Sequence, residues 1–497
     1  MLVRESDMLI VVMKQGNACG AKIVAACVAA LRLKETLSEH RFGGIMLTKF
    51  KLNLISMRAK KDRLFKFNNV MHLVNEWSLK RSFYNLKKTA AAGIDKVTFE
   101  EYEKNLDGNV DDLLSRMKTM SYRPQAARRT YIPKGNGKWR PLGIPTIEDK
   151  MVQRAMTEIL EAVYEQDFLD FSYGFRPGRS CHQALSVLDH TLMRQPVNYV
   201  IDADIKGFFD NVNHSALRRC IEKRITDKRF IRYILRFLKS GIVEEGELMK
   251  TEIGTPQGGS VSPVLANIYL HYALYKWFVK EIMRNVEGYV KLIRYADDFI
   301  ICVRYKRDAE WIMRELKTRL HRCHLELSEE KTRLVRFGRY ALKKWEEEKA
   351  KRNRTSNNQK TGTFNFLGFT HYCTKSRSGK FKIGRKTERK RFTSSVKRVK
   401  GWLKSQRNKR KLREIWYRVG QMLMGHYRYY GVTENIRQLG NFYDKVQRLL
   451  YKWLNRRSQK KSLTWEKFSK YLKAHPLPRP KIYHSLPQYA RYYGGKQ

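Results

Sequence analysis

The stretch Lys291-Leu-Ile-Arg-Tyr-Ala-Asp-Asp-Phe-Ile-Ile-Cys-Val303 places two adjacent carboxylates between two apolar runs. Both runs are rich in residues that favour β-strands, so the pattern predicts a β-hairpin with Asp297 and Asp298 at its tip. Two carboxylates beside apolar residues are costly unless a cation neutralises them. The pattern favours a hard divalent ion with oxygen ligands, above all Mg²⁺, and the alternative is an ordinary acidic turn in solvent.

A second β-rich run, Tyr199-Val-Ile-Asp-Ala-Asp204, ends in the carboxylates of Asp202 and Asp204. Two strands with carboxylates at their ends can share two metal ions that lie about 3.5–4 Å apart. In such sites one ion activates an attacking hydroxyl, and the other holds a triphosphate and its leaving group. The two runs together therefore predict metal-assisted phosphoryl transfer.

Three motifs follow one another along the chain: Asp204 with Phe209 five residues later, Gly254-Thr-Pro-Gln-Gly-Gly-Ser-Val-Ser-Pro263, and Tyr295-Ala-Asp-Asp298. Together they resemble reverse transcriptases, and most closely the proteins encoded by bacterial and organellar group II introns. The resemblance runs from about residue 93 to residue 486. It implies an α+β fold of the right-hand polymerase type, with fingers, a palm whose antiparallel sheet packs on helices, and a helical thumb or maturase domain.

The resemblance also assigns the catalytic and metal-binding residues. It implies that Asp204, Asp297 and Asp298 are catalytic and that Lys331 protonates the pyrophosphate leaving group. Two Mg²⁺ ions, with Mn²⁺ as the alternative, are expected on Asp204, Ile205, Asp297 and Asp298.

The binding site for the incoming dNTP is expected to draw on three segments. Tyr131–Pro145 reads as a hairpin because Asn136-Gly137 is a strong turn signal. By resemblance its Lys134 and Arg140 grip the triphosphate, and a planar guanidinium suits paired phosphate oxygens. Phe209 is implied to exclude the ribose 2′-hydroxyl, and Gln257 to touch the nucleotide.

Template and primer contacts are implied by the same resemblance. They are Arg176 and Arg179 on the template backbone, Pro256 and Gly258 against the template base pair, and Leu367 and Gly368 in the loop that holds the primer 3′ end.

The charge of the chain predicts a polyanionic partner. Lys and Arg number 101 and Asp and Glu 48, so the formal net charge is +53. Such an excess indicates nucleic acid. Residues 385–413 hold fourteen Lys or Arg, and the next segment, 416–431, interleaves aromatic and basic residues, which suits unpaired RNA. The residues expected to bind RNA are Lys397, Arg398, Lys400, Lys404, Tyr427 and Arg428.

Composition and motifs predict four segments. They are an N-terminal extension of unknown role (1–56), fingers and palm (57–375), a thumb or maturase domain (385–475) and a C-terminal tail (476–497). Because no Cys follows Cys373, a Cys-ligated endonuclease module is not expected. The seven scattered Cys favour a reducing compartment, bacterial cytoplasm or an organelle, and the apolar residues 23–31 are too few to span a membrane. A signal peptide is the alternative reading of those residues.

Local patterns predict several helices and one loop. Thr146 should cap a helix with Ile147, Met151, Ala155, Ile159 and Val163 on its buried face. Ser180 should cap the helix after residue 180, and Ser262 one with a buried stripe of Val264, Ile268, Tyr272, Tyr275 and Val279. Residues 308–322 are expected to be helical, and the charged residues 346–362 to form a loop.

The predicted function is that of an RNA-directed DNA polymerase that also binds its intron RNA and assists splicing. The expected partners are intron RNA, an RNA template with a DNA primer, and dNTPs, with no membrane. The oligomeric state is left open, with a dimer as one option. The alternatives are a related reverse transcriptase acting outside an intron, a splicing-only RNA-binding maturase, and an RNA-dependent RNA polymerase, which Phe209 disfavours.

Overall fold

The computed structural model of the chain describes residues 41–133, 139–244, 247–249, 253–254, 258–351, 362–457 and 463–486. The chain divides into two compact units. Unit 1 comprises residues 1–127, 144–167 and 222–240, and unit 2 comprises residues 128–143, 168–221 and 241–497. The chain therefore passes between the units several times.

Helices and strands both contribute to the fold, which confirms the mixed helix-and-sheet class. The helices are α1 (Arg41–Lys61), α2 (Glu76–Tyr84), α3 (Phe99–Glu103), α4 (Leu106–Lys118), α5 (Ile147–Tyr164), α6 (Cys181–Arg194), α7 (His214–Ile221), α8 (Lys228–Lys239), α9 (Ser262–Leu270), α10 (Lys306–Arg322), α11 (Arg339–Lys351), α12 (Arg389–Gln406), α13 (Leu412–Tyr430), α14 (Ile436–Leu454) and α15 (Trp465–Ala474). The strands are β1 (Ala127–Pro133), β2 (Trp139–Ile144), β3 (Tyr199–Asp204), β4 (Ile242–Glu244), β5 (Glu247–Met249), β6 (Val290–Tyr295), β7 (Asp298–Val303), β8 (Arg333–Arg336), β9 (Phe364–Phe366), β10 (Phe369–Lys375) and β11 (Phe381–Thr387).

Unit 1 is organised around α5, against which α1 and α2 pack. Thr146 accepts a hydrogen bond from the Asp149 nitrogen and caps α5, as the sequence predicts. The predicted buried face of α5 is also confirmed, because all five of its members are at most 4 % exposed. Apolar residues at helical spacing thus account for this core.

A buried ion pair joins two separated segments of unit 1. The Arg224 guanidinium, 2 % exposed, lies 3.1 Å from a carboxylate oxygen of Asp167. It also donates to the carbonyls of Asp62 and Ala59 at 3.0 Å, next to the C-terminal end of α1. These bonds satisfy carbonyl groups that a helix end leaves without intrahelical partners.

The central sheet of unit 2 has the strand order β6-β7-β3-β8, and every neighbouring pair is antiparallel. β6 and β7 form the hairpin that the sequence predicts. α10 packs on β3 and β7, and α6 packs on β6. Val200, Ile293, Ile300 and Cys302 are fully buried in the core beneath the sheet. The apolar runs around the acidic residues are therefore interior strands.

Two further sheets belong to unit 2. β1 and β2 are neighbours in the order β2-β1-β4-β5, so the strands of the predicted hairpin at Tyr131–Pro145 are confirmed. Its predicted turn at Asn136 and Gly137 lies outside the described residues. β9, β10 and β11 form the third sheet, in the order β11-β10-β9.

The helix after the glycine-rich loop differs from the prediction. α9 begins at Ser262, its N-cap is Val261 without a side-chain hydrogen bond, and Pro263 lies in the first turn. Beyond α9 the chain is π-helical at His271–Tyr275 and Phe278–Ile282. A wider turn shifts the helix faces, so Val279, predicted to be buried, is 38 % exposed. The prediction was wrong because it assumed a constant period of 3.6 residues.

The helices α12–α15 form a bundle, which we call the C-terminal bundle. Leu403, Val419, Leu423, Val446 and Leu450 lie in its core. Residues 476–486, predicted as a tail, pack back onto unit 2. Leu477 enters the bundle core, and Leu486 enters the core of the central sheet.

Three further boundaries fall inside regular elements. Residue 56, predicted as the end of an extension, lies within α1, and the predicted loop 346–362 begins within α11. Residues 385–387, assigned to the helical domain, belong to β11. The helix predicted at 308–322 begins two residues earlier, at Lys306. None of the helices in the described ranges combines the length and apolarity needed to cross a membrane.

We expect Asp167→Ala to destabilise unit 1 by about 3–5 kcal/mol, because it leaves the buried Arg224 charge without its carboxylate. Chemical denaturation followed by circular dichroism measures the change. The matched control is Glu329→Ala, which breaks an exposed pair with Lys317 of 2.8 Å and should change stability far less, because solvent screens an exposed ion pair. A shift for Asp167→Ala no larger than that of the control would contradict the role assigned to the buried pair.

Candidate active site

The register of the central sheet brings the predicted carboxylates together. Asp204, the last residue of β3, lies opposite Asp298, the first residue of β7. Tyr295 is paired with Asp298, so only Ala296 and Asp297 form the turn between β6 and β7, which we call the acidic turn. Ala296 has a φ of +58°, a left-handed conformation that a tight hairpin turn requires. Asp204, Asp297 and Asp298 thus meet at one end of neighbouring strands.

Lys331 supplies the positive charge nearest to Asp204. Its Nζ lies 2.5 Å from an Asp204 carboxylate oxygen, and this contact raises the pKa of the lysine. The loop that carries it is fixed to the strand end, because the Ser328 nitrogen donates to the Asp204 carbonyl at 2.9 Å and the Lys331 nitrogen to the Ser328 carbonyl at 3.1 Å. The structure therefore brings Lys331 to Asp204, and its role as proton donor to the leaving group stays a prediction.

Asp298 is the most strongly perturbed carboxylate of the group. The surrounding protein limits its hydration, although part of the residue is exposed, and the carboxyl groups of Asp297 and Asp204 lie nearby. These effects raise the pKa of Asp298 to about 7. Asp202 is held differently, because Arg333 donates to it through both Nε and Nη2 at 3.1 Å.

The chemistry of these residues fits a divalent cation. Asp298, with its raised pKa beside two further carboxylates, calls for a positive charge, and the ammonium group of Lys331 takes that place beside Asp204. Across the described ranges, no three acidic, histidine or cysteine side chains already converge as a metal site. Ile205, the remaining predicted ligand, has a buried side chain and forms a β-bridge with Leu327. Metal binding here stays a prediction.

Two glycines allow loops to approach the site at backbone distance. A Cβ on Gly174 would lie 2.2 Å from the Ala296 nitrogen in the acidic turn. A Cβ on Gly254, whose φ is +92°, would lie 2.7 Å from the Asp210 carbonyl oxygen. His214, which is buried, lies with Nε2 2.6 Å from the Gly254 carbonyl. These positions accept no side chain without displacing the backbone of the site.

Phe209 is half-buried in a short 3₁₀ turn, Phe208–Asp210, that follows β3. The preceding residue, Phe208, is 3 % exposed and anchors the turn in the core. Phe175, which is 47 % exposed, contacts the Phe209 ring edge-to-face. The ring predicted to select the sugar is therefore partly exposed, in the turn that directly follows the strand of Asp204.

A groove of about 620 Å³ runs from the acidic turn to the C-terminal bundle. Leu367 and Gly368 line it, and both have a positive φ in the tight turn between β9 and β10. The Tyr429 hydroxyl donates to the Leu367 carbonyl at 3.2 Å. Further lining residues are Asp297, Asp298, Arg391, Ser395, Arg398, Met422, Gly425 and His426.

The other predicted contact residues occupy varied positions. Arg179 is half-buried and bound to Asp170 at 2.7 Å, and Arg140 is exposed on β2. Arg176 is 7 % exposed and donates to the Leu169 and Ser172 carbonyls. The burial and hydrogen bonds of Arg176 indicate that it holds its own loop together. This replaces the prediction that Arg176 contacts the template. A Cβ on Gly258 would lie 2.2 Å from the Gly143 carbonyl oxygen. Lys134, Pro256 and Gln257 lie outside the described residues.

The predicted RNA-binding residues of the bundle divide by exposure. Lys397, Arg398, Lys400 and Lys404 are exposed on α12, and Arg428 is exposed on α13. Tyr427 is wholly buried in the bundle core, so the prediction that it contacts RNA is wrong. The aromatic-basic pattern of the sequence does not distinguish the buried face of α13 from its exposed face. Only the burial of each side chain in the structure does so.

Three residues of the site gave no signal in the sequence. Asn267 and Arg294 are almost fully buried behind the acidic turn, and His214 supports the glycine-rich loop. A single Asn, Arg or His in an apolar segment carries no information about its partner, which depends on the tertiary fold. Phe175 directly precedes Arg176, but in this segment the resemblance assigns roles only to Arg176 and Arg179.

The strand ends that carry these carboxylates, and Lys331 beside them, lie within a segment that matches a known protein family. The family described as "Reverse transcriptase (RNA-dependent DNA polymerase)" matches residues 132–371. "Protein YkfC" of Escherichia coli (strain K12) is 32% identical over 310 residues, which cover 56% of this chain and 81% of that protein. The chain belongs to the reverse transcriptase family.

Its relatives include intron-encoded proteins. "Group II intron-encoded protein LtrA" of Lactococcus lactis subsp. cremoris is 36% identical over 312 residues, 51% of each chain. "Nuclear intron maturase 2, mitochondrial" of Arabidopsis thaliana is 30% identical over 111 residues, which cover 21% of this chain and 15% of that protein. The match to the Lactococcus protein spans about half its length. These similarities confirm the resemblance to group II intron proteins that the motifs indicated.

Without metal, the stability of the folded protein should depend on pH through the carboxyl group of Asp298. A carboxyl whose pKa rises from 3.8 to about 7 on folding stabilises the fold below its unfolded pKa, and this stability is lost as the pH rises through about 7. Asp298→Asn cannot ionise and should remove that part of the pH dependence. Thermal unfolding in EDTA between about pH 5 and pH 8 measures it.

Glu466→Gln is the control, because Glu466 forms only an exposed pair with Lys470. Its unfolding profile should follow the parent protein at every pH. Parallel profiles of Asp298→Asn and the parent would show that the carboxylates are not coupled as described.

Proposed function

We propose that the protein is the RNA-directed DNA polymerase of a group II intron and that it also binds its intron RNA and assists splicing. The central sheet would be the palm, the sheet containing β1 and β2 part of the fingers, and the C-terminal bundle the thumb or maturase domain. The observation that carries the proposal is the register of Asp204 opposite Asp298, with Asp297 in the turn and Lys331 alongside. Membership of the reverse transcriptase family supports it.

Asp204, Asp297, Asp298 and the Ile205 backbone would hold two Mg²⁺ ions, which would acidify the primer 3′-hydroxyl and neutralise charge on the triphosphate. The carboxylates orient these groups from rigid strand ends. Lys331 keeps its proton because Asp204 stabilises the ammonium. Its side chain is 66 % exposed, so it can turn from Asp204 toward the leaving pyrophosphate and donate that proton.

Phe209 would lie under the sugar and exclude a 2′-hydroxyl, since its ring is partly exposed in the turn that follows the strand ending at Asp204. Lys134, Arg140 and Gln257 would bind the triphosphate and base, with Pro256, Gly258 and Arg179 on the template side. Leu367 and Gly368 would support the primer end, because their turn and the acidic turn line the same groove.

α12 presents cations on two faces. Arg391 and Arg398 line the groove, whereas Lys390, Lys397 and Lys404 are exposed and do not. The three lysines are spaced by seven residues, so they form a row with about 10.5 Å between neighbours. Arg398, predicted from the sequence to bind RNA, is assigned with Arg391 to the primer–template because both line the groove. The lysine face, with Lys400, is assigned to intron RNA.

Asp204→Asn and Asp297→Asn should each abolish primer extension, because loss of one metal ligand removes several kcal/mol of transition-state stabilisation. The assay is extension of an oligo(dT) primer on poly(rA) with Mg²⁺. The matched control, Asp112→Asn, changes an exposed carboxylate that pairs with Arg116 in unit 1 and should retain activity. Near parental incorporation by either site variant would remove the metal assignment.

The two faces of α12 should separate in binding experiments. The variant with Lys397, Lys400 and Lys404 changed to Ala should bind group II intron RNA more weakly. The slope of log affinity against log salt should fall by roughly 0.7–0.9 for each lost phosphate contact. Filter binding at several salt concentrations, with splicing at low Mg²⁺ beside it, measures the effect.

The comparison is Arg391→Ala/Arg398→Ala, which should chiefly raise the KM for primer–template. An unchanged salt slope for the lysine variant would move intron binding away from α12. Asp297→Asn/Asp298→Asn should keep intron binding and splicing, and loss of splicing there would argue against separable functions.

A further inference from the structure

Phe175 is an exposed aromatic residue whose backbone is held in an unfavourable conformation. Its φ is +56°, a region that residues with a Cβ seldom adopt, and its side chain is 47 % exposed. Such conformations persist where the surrounding structure enforces them, and they cluster at functional sites. The ring contacts Phe209 edge-to-face, with 6.2 Å between centroids and an interplanar angle of 78°.

The buried amide of Asn267 enforces this conformation. Asn267 is 1 % exposed, and its Nδ2 donates to the Gly174 carbonyl at 3.0 Å and to the Phe175 carbonyl at 3.3 Å. Its Oδ1 accepts a hydrogen bond from Nη2 of Arg294, which is itself buried beneath the Tyr275 ring. Every polar atom of the amide is therefore engaged, and the guanidinium fixes which end faces the loop.

We propose that Phe175 is a positioning residue for sugar discrimination, held in place by the Asn267–Arg294 pair; this inference rests on the proposed role of Phe209. A side chain on a surface turn can rotate away from an extra hydroxyl group. Phe208 contacts the Phe209 ring with 5.4 Å between centroids and is buried, and Phe175 adds a second aromatic contact. Edge-to-face aromatic contacts favour one relative orientation, so the Phe209 ring is held against rotation.

The loop that carries Phe175 also contacts the acidic turn. Its effect on the acidic turn can therefore be distinguished from its effect on Phe209. Gly174 approaches the Ala296 nitrogen through backbone, whereas the Phe175 side chain contacts the Phe209 ring. Loss of the Asn267 amide should disturb both the turn and Phe175. Loss of the Phe175 ring should act on Phe209 and alter sugar selection more than the rate of dNTP incorporation.

The experiment compares Phe175→Ala, Phe209→Ala and the double variant by the ratio of kcat/KM for rNTP to that for dNTP, with oligo(dT) on poly(rA). We expect Phe175→Ala to raise this ratio about tenfold, the scale of a change in packing within a binding pocket. Because Phe175 acts through Phe209, the double variant should have the ratio of Phe209→Ala alone. Phe175→Tyr keeps the ring and should restore the parental ratio.

Tyr340→Ala removes an exposed aromatic ring of α11, 55 % exposed, and should leave the ratio unchanged. A parental ratio for Phe175→Ala beside a raised ratio for Phe209→Ala would overturn this inference and leave the proposed function intact. Additive effects in the double variant would also overturn it. An unchanged ratio for Phe209→Ala would remove sugar exclusion from the proposed function, and this inference with it.

Discussion

The register between β3 and β7 is the constraint on which the site depends. It places Asp204 of β3 opposite Asp298 of β7, so the two carboxylates lie side by side at the same edge of the sheet. Their mutual repulsion opposes folding. A shift by one residue would turn the alternating side chains of a strand to the other face of the sheet. Ile201 and Ile301, paired in the same register and fully buried, hold the strands against such a shift. Apolar packing thus holds charges together that would otherwise separate.

The parts of this arrangement that follow from local pattern could be predicted. The hairpin around Asp297 and the end of β3 at Asp204 come from β-rich runs, and the helix start at Thr146 comes from side-chain capping. Predictions failed where the packing of the fold decides whether a side chain is buried. Tyr427 lies in an aromatic-basic segment typical of RNA binding, yet the bundle buries it, and Arg176 is held by carbonyls of its own loop. Val279 was misplaced because π-helical turns leave no clear signal in composition.

Backbone packing does as much as side-chain chemistry to form the site. Gly174 lies against the acidic turn and Gly254 against the turn that carries Phe209, and a Cβ at either position would meet backbone atoms. His214 and Asn267 then fix the two loops through their backbone carbonyls. The positions of Phe209 and Phe175 are therefore set by contacts to the backbone around them.

The arginines and lysines of α12 differ in position and in how they would bind nucleic acid. Arg391 and Arg398 line the groove that begins at the carboxylates, and Lys390, Lys397 and Lys404 are exposed outside it. A planar guanidinium binds phosphate in a fixed orientation, which suits a primer whose end must be placed accurately. A lysine is a point charge on a flexible stem, which suits a partner held by overall attraction. One helix can therefore serve positioning on one face and retention on the other, because the two tasks require different cations.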